Sequence, residues 1–120
     1  MKRGEVYLAL FSPRSGSEQG GRRPAIIFSH DSFNEAPGWR SVIVIPLSTS
    51  GKQRRRGPTA VQIPKGEGGL NADSVALCHQ ITTLDRKKLT MRIGELSPDV
   101  IRTIEIGVAA ALDLPDQFRS

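Results

Sequence analysis

The stretch EVYLALFSPRSGSEQGGRRPAIIF, residues 5–28, sets two apolar runs on either side of a loop that carries Pro13, Gly16, Gly20 and Gly21. From Glu5 to Leu10, Val6, Leu8 and Leu10 fall on one side and Tyr7 and Ala9 on the other, the period of a strand with one wetter face. Pro24 then opens PAIIFS, a short run rich in isoleucine and phenylalanine that reads as a buried strand. Strand, glycine-rich loop and strand predict a β fold, and the residues downstream continue the pattern.

SVIVIPL (41–47) is β-branched enough for a third buried strand. Pro46 cannot donate to a ladder, so this strand is expected to end or bulge there and leave Leu47 and Ser48 at its rim. Thr59–Ile63 is a fourth strand, and KGEGGLN (65–71) a turn-rich connection. DSVALCHQITTL (73–84) reads as one strand with Val75, Leu77, His79 and Ile81 on one face and Ala76, Cys78, Gln80 and Thr82 on the other. MRIGEL (91–96) makes a sixth. The only strong helix signal follows: Ser97 is a good N-cap, Pro98 fits the first turn, and Asp99 suits the positive end of the dipole. Val100, Ile101, Ile104, Val108, Ala111 and Leu112 then recur at helical spacing until Pro115 stops the helix. The expected fold is mainly β with a C-terminal helix (α+β), a small, strongly bent sheet or barrel closed by that helix.

The chain has 120 residues and a net charge of +5, from 17 Lys and Arg against 12 Asp and Glu. No linker or repeat divides it, so residues 1–120 are expected to form a single domain. Cys78 is the only cysteine and His30 and His79 the only histidines, which excludes an intrachain disulfide and a cysteine–histidine zinc cluster. No apolar run approaches the roughly 20 residues of a membrane helix, and a cytoplasmic location is expected. The charge is uneven: residues 1–65 hold eleven Lys and Arg against four acids, while residues 66–120 hold six against eight. The excess lies in two glycine-containing loops, SPRSGSEQGGRRP (12–24) and STSGKQRRRGP (48–58). With 12 of the 17 bases arginine, whose guanidinium fork matches phosphate oxygens, this pattern points towards phosphate recognition.

The usual catalytic sets fit poorly. Cys78 and its neighbour His79 would face opposite sides of a strand, and core packing is the better reading of the cysteine. No carboxylates cluster for metal-assisted phosphoryl transfer, so neither a metal nor another cofactor is expected. Arginine remains. RNA cleaves itself when a 2′-hydroxyl attacks the adjacent phosphate, and an enzyme must align that attack, stabilise the extra negative charge and manage two protons. Arg23, held at a strand start by Pro24, and the hydroxyl of Ser48 at a strand end are candidates for that charge. Read alone, they better suit a surface ion pair and a turn-opening serine.

The segment KRGEVYLALFSPRSGSEQGGRRPAIIFS (2–29) closely resembles the opening of the MazF/PemK family of toxin ribonucleases. SVIVIPLSTS (41–50), DSVALCHQITTLDRKKL (73–89) and RIGELS (92–97) resemble its later elements in the same order, so the likeness runs from Lys2 to about Leu112. The resemblance implies a Src-homology-3-like barrel of the CcdB/PemK plasmid-toxin type, acting as a homodimer. It implies metal-independent, sequence-specific cleavage of single-stranded messenger RNA, leaving 2′,3′-cyclic phosphate and 5′-hydroxyl ends. It further implies a type II toxin–antitoxin partner, an antitoxin whose acidic C-terminal tail covers the RNA groove.

Carried across residue by residue, the resemblance makes Arg23 catalytic and puts Ser48 where the family has a threonine, with Thr49 as the alternative hydroxyl. Arginine stays protonated at neutral pH, so Arg23 is assigned charge stabilisation and the general base is left open. Ser17, Glu18, Gln19 and Gln80 would touch bases, whose Watson–Crick edges suit amides and carboxylates. Arg22, Lys52, Arg54, Arg55 and Arg56 would track the backbone. Two rivals remain: a CcdB-like gyrase-poisoning toxin, which needs a tryptophan near the C-terminus where this chain ends DQFRS, and a non-enzymatic RNA-binding barrel, for which aromatic residues are few.

Overall fold

The computed structural model describes residues 1–11, 21–52, 57–115 and 117. Seven strands appear: β1 (Glu5–Phe11), β2 (Gly21–Ile27), β3 (Ser41–Ser48), β4 (Ala60–Ile63), β5 (Ser74–Leu77), β6 (Thr82–Asp85) and β7 (Leu89–Glu95). A four-residue helix α1 (Asp31–Asn34) lies between β2 and β3, and α2 (Pro98–Ala111) follows β7. The order is β4-β5-β3-β2-β1-β7, with β6 also on β3, and the pairings are antiparallel. No ladder joins β4 to β7 among the described residues, so the Src-homology-3-like sheet is bent rather than closed.

Both faces of the sheet are apolar. Val6, Ile26, Ile45, Leu47, Ile63 and Cys78 form the larger core with Ile104 and Val108 of α2. Ala9, Ala25, Ile27, Val42 and Val44 form a second cluster, with Tyr7 and Leu89 packed on it. Burial on both sides is why the segments of β2 and β3 read as continuous apolar runs rather than alternating ones.

The segment 73–84 is two strands rather than one. β5 pairs with the end of β3 (Leu47↔Ala76, Ser48↔Val75), β6 with its beginning (Val44↔Thr82 to Ser41↔Asp85), and Cys78–Gln80 form a 3-10 turn between them. Two residues of β3, Ile45 and Pro46, therefore face five, Leu77–Ile81. Ile43 accepts the Phe28 N–H from the β2 side, so the even residues of β3 turn their main chain to the other edge, and Pro46 has no N–H to offer there. The expected interruption falls in the partner, while β3 itself continues. Leu47 and Ser48 do end β3, but β5 pairs with them and both are buried, and His79 projects to solvent instead of sharing a face with Val75 and Leu77.

The helix begins at Pro98 as expected, yet Ser97 does not cap it with its hydroxyl. The Glu67 carboxylate accepts the Ser97 N–H at 2.7 Å and its hydroxyl at 3.3 Å. The helix ends at Ala111, before Pro115: Asp113 takes φ +57°, its N–H reaches Ala110 O and that of Leu114 reaches Ala109 O, the pattern of a Schellman cap. Leu112, read from its spacing as part of the apolar stripe, is 53% exposed. Backbone meets backbone at Gly94, where a Cβ would lie 2.4 Å from Gly68 O and 2.9 Å from Gly69 N.

The buried end of β1 is held by charge. Burial pushes the Glu5 carboxyl up, but hydrogen bonds from Arg92 Nε (2.6 Å) and the Lys2 N–H, with the Arg92 charge, hold it below the usual carboxylate range. Arg3 ties the N-terminus elsewhere: its N–H donates to Asp31 Oδ1 at 2.7 Å, its guanidinium to Phe28 O and to Glu105 of α2, and it lies 4.2 Å above the Phe28 ring.

Gly94→Ala is expected to cost about 3 kcal/mol, read as a lower urea midpoint, because the new methyl meets main chain that has nowhere to move. Glu5→Gln is expected to cost about 1 kcal/mol at pH 7. Because the folded pKa of Glu5 lies below its ordinary value of 4.5, its contribution is complete above that pH and is lost as the pH falls through the folded value. Urea denaturation of wild type and variant should therefore converge as the pH falls below the folded pKa of Glu5.

Candidate active site

β2 and β3 carry the two residues assigned to chemistry. Their ladder runs Ile27↔Val44, Ile26↔Ile45, Ala25↔Pro46 and then stops. Continued by two residues, the same register brings Arg23 level with Ser48. Leu47 would be the next residue of β3 to seek a β2 donor, and the residue opposite it, Pro24, has none. The two strand ends thus lose their mutual hydrogen bonds at the point where Arg23 and Ser48 sit. On the other side, Arg23 is registered against Ala9 of β1. Both residues share the sheet face of Ala25, Ile27 and Val44, the second apolar cluster.

Arg23 is partly exposed. Ser48 is 3% exposed, and its Oγ accepts the Ser50 N–H at 3.0 Å, leaving its O–H proton to donate. The serine therefore opens a turn, and a hydroxyl fixed in that turn needs no reorganisation to serve as a donor. Thr49, the alternative, is exposed at the same turn, as is Lys52. Arg22 is exposed and points to the opposite face from Arg23, because side chains alternate along β2. Gln80 lies in the 3-10 turn beside exposed His79, its Nε2 3.5 Å from His79 Nε2. Ser17, Glu18, Gln19, Arg54, Arg55 and Arg56 lie outside the described residues.

Cys78 is buried, its Sγ 3.9 Å from Ile104 O, and burial pushes its thiol up to about 12. It packs against α2 at Gly107, where a Cβ would come within 2.9 Å of Sγ. Among the described residues no three His, Cys, Asp or Glu side chains gather where a metal ion is held, and no helix is long and apolar enough to cross a membrane.

A second concavity escaped the sequence reading. A groove of 570 Å³ opens at the start of β3, lined by Glu35, Trp39, Arg40, Asp85, Arg86 and Lys87 among others. Trp39 also lines a smaller hollow of 190 Å³ with Phe33 and Ile43. The residues of the larger groove come from Met1 and from two distant segments, 34–40 and 85–87, joined by the Ser41↔Asp85 pairing, which no local pattern announces. The only local signals were a lone tryptophan beside Arg40 and the run Arg86–Lys88.

Residues 2–112 match the family described as PemK-like, MazF-like toxin of type II toxin-antitoxin system. Endoribonuclease MazF of Staphylococcus epidermidis is 39% identical over 114 residues, 95% of this chain and 91% of that protein. The crystal structure of MazF from Deinococcus radiodurans superposes with a TM-score of 0.77 at 25% identity, covering 95% of this chain and 97% of that one. A mycobacterial endoribonuclease in complex with its cognate antitoxin gives 0.69 at 27% identity, over 96% and 95% of the two chains.

The thiol tests the packing beneath the site. With a pKa near 12, Cys78 is thiolate in only about one molecule in ten thousand at pH 8. An aromatic disulfide reagent at that pH should titrate no thiol in the native protein and one in urea; a reactive native thiol would place Cys78 outside the core.

Proposed function

This chain belongs to the PemK-like, MazF-like toxins of type II toxin–antitoxin systems, and from that footing we propose that it cuts single-stranded messenger RNA at preferred sequences without a metal ion, using Arg23 and Ser48. Relatedness to a staphylococcal endoribonuclease supplies the reaction class. The observation that supports the site is the β2–β3 register, which, continued two residues past Ala25↔Pro46, would set Arg23 level with the turn-held hydroxyl of Ser48, where Pro24 has no N–H to extend the ladder.

The reaction follows from what those groups offer. The 2′-oxygen of the substrate forms a bond to the neighbouring phosphorus as the bond from phosphorus to the 5′-oxygen breaks, leaving a 2′,3′-cyclic phosphate and a 5′-hydroxyl. The 2′-hydroxyl gives up its proton and the departing 5′-oxygen gains one. Between these states the phosphorane carries extra charge on its equatorial oxygens. Arg23 presents a charged planar fork to them, and Ser48 Oγ donates a further hydrogen bond. Thr49, Lys52, Arg22 and Gln80 flank the strand ends and would hold RNA by backbone and base edges; the loops bearing Ser17–Gln19 and Arg54–Arg56 would extend that surface.

The basic half of the sequence would also receive an antitoxin with an acidic tail, and the active form would be a cytoplasmic homodimer. The Deinococcus and mycobacterial relatives support these readings as neighbours in fold, the latter solved with its cognate antitoxin. Charge complementarity makes RNA and inhibitor exclusive occupants of one surface.

Incubation with a long mixed-sequence single-stranded RNA in EDTA should give discrete fragments whose termini, by mass spectrometry, are 2′,3′-cyclic phosphate and 5′-hydroxyl. Arg23→Ala should lower kcat/KM by about 10²–10³-fold, the usual loss of one transition-state donor. Ser48→Ala should lower kcat, whereas Thr49→Ala should act on KM and leave kcat unchanged. Intact RNA would remove the ribonuclease assignment, and RNA bound but uncut would favour the non-enzymatic barrel. A lower kcat only in Thr49→Ala would move the hydroxyl role by one residue.

A further inference from the structure

The groove at the start of β3 lies at the far end of that strand from Ser48, seven residues or about 23 Å away. Trp39 and Phe33 stack there with ring centroids 4.9 Å apart and planes at 42°, and both stay largely open to solvent, 47% and 42% exposed. Exposed aromatic pairs are unusual on a chain with one tryptophan, one tyrosine and four phenylalanines. This pair is also held rigid. Arg86 donates through Nε to Trp39 O and through its terminal nitrogen to Phe33 O at 2.6 Å, and its own N–H reaches Arg40 O at 2.8 Å. One half-buried arginine from the β6–β7 connection thus pins three carbonyls of the aromatic loop.

We propose that this groove is a second RNA subsite, in which an unpaired base stacks on Trp39 while Arg40 and Lys87 hold its phosphates. The inference rests on the ribonuclease reading above and extends the substrate surface beyond the cleaved bond. A pre-ordered ring loses little entropy on stacking, and cations on the same rim match a phosphate backbone. The carboxylates of Glu35 and Asp85 on the lining decide between ligands. They can accept hydrogen bonds from base amino groups, which a peptide of Asp and Glu side chains does not offer, while Arg40 and Lys87 carry the attraction for phosphate. An RNA long enough to reach from Ser48 would engage both ends of β3, and a short one only the cleavage end.

Trp39 is the sole tryptophan, so its fluorescence reports the subsite directly. Titration with a long 2′-O-methyl RNA, which lacks the attacking hydroxyl, should quench it saturably, and Lys87→Glu should weaken that quenching about tenfold. In cleavage assays, Trp39→Ala should raise KM for long RNA about tenfold with kcat unchanged, leave KM for short RNA unaltered, and be rescued by Trp39→Phe. Cleavage by wild type with unchanged KM in Trp39→Ala, and no quenching, would overturn the subsite while leaving the ribonuclease standing. Quenching without cleavage would do the reverse. Quenching by polyglutamate in preference to RNA would overturn it in favour of a protein partner. Lys87→Glu, an exposed change, keeps the test valid if Trp39→Ala fails to fold.

Discussion

Strand β3 is paired on both edges, and two missing N–H groups decide how far each pairing runs. Pro46 has nothing to donate towards β5 and β6, so the chain on that edge leaves the ladder for five residues, turns through Cys78–Gln80 and rejoins it. Pro24 has nothing to donate from β2, so the other ladder stops two residues short of Arg23. One imino acid in the central strand and one in its neighbour thereby bound the turn that carries Gln80 and the ladder end beside Arg23 and Ser48. Arg23 and Ser48 are themselves paired on their outer edges, with Ala9 and Val75, so what the β2–β3 ladder lacks there is the Pro24–Leu47 step.

Around that opening the structure is unusually constrained. The sheet is apolar on both faces, α2 covers one of them, and Gly94 lets the Gly68–Gly69 turn lie directly on β7. The Glu67 carboxylate from that turn occupies the start of α2, where the exposed N–H groups favour an anion. Turn, strand and helix are thereby tied at one corner.

Strand positions and the single long helix were legible because apolar period and turn residues act locally. PAIIFS and SVIVIPL needed nothing beyond their own composition, and Ser97–Pro98 marked where α2 begins. What a one-dimensional reading misses is competition between partners. Nothing within DSVALCHQITTL says that it breaks at Cys78, since the cause is a proline some thirty residues earlier in the neighbouring strand. Leu112 fits the helical stripe by spacing, yet the chain has already turned at Asp113, an aspartate in the left-handed conformation usually left to glycine. In the site, Pro24 reads as opening the second strand with Arg23 at its start, whereas β2 already begins at Gly21 and Arg23 is paired with Ala9 inside it, because β1 supplies a partner for residues that look like loop. The burial of Ser48 was not legible, because β5 covers it by a pairing with Val75 that only the fold reveals. The Trp39 groove was invisible for the same reason.

The placement of β1 has a consequence for how the protein comes into being. Its two neighbours in the sheet are β2, the next strand, and β7, the last, whose residues 89–95 lie at the other end of the chain. A chain emerging from the ribosome can form the first hairpin early, but one edge of β1 stays unpaired until nearly three-quarters of the sequence has been made, and the core beneath it stays open until α2 follows. A chain cut short before β7 therefore carries the net +7 of residues 1–65 with one edge of β1 unpaired and without α2 over the core, so charge arrives before the architecture that aligns it.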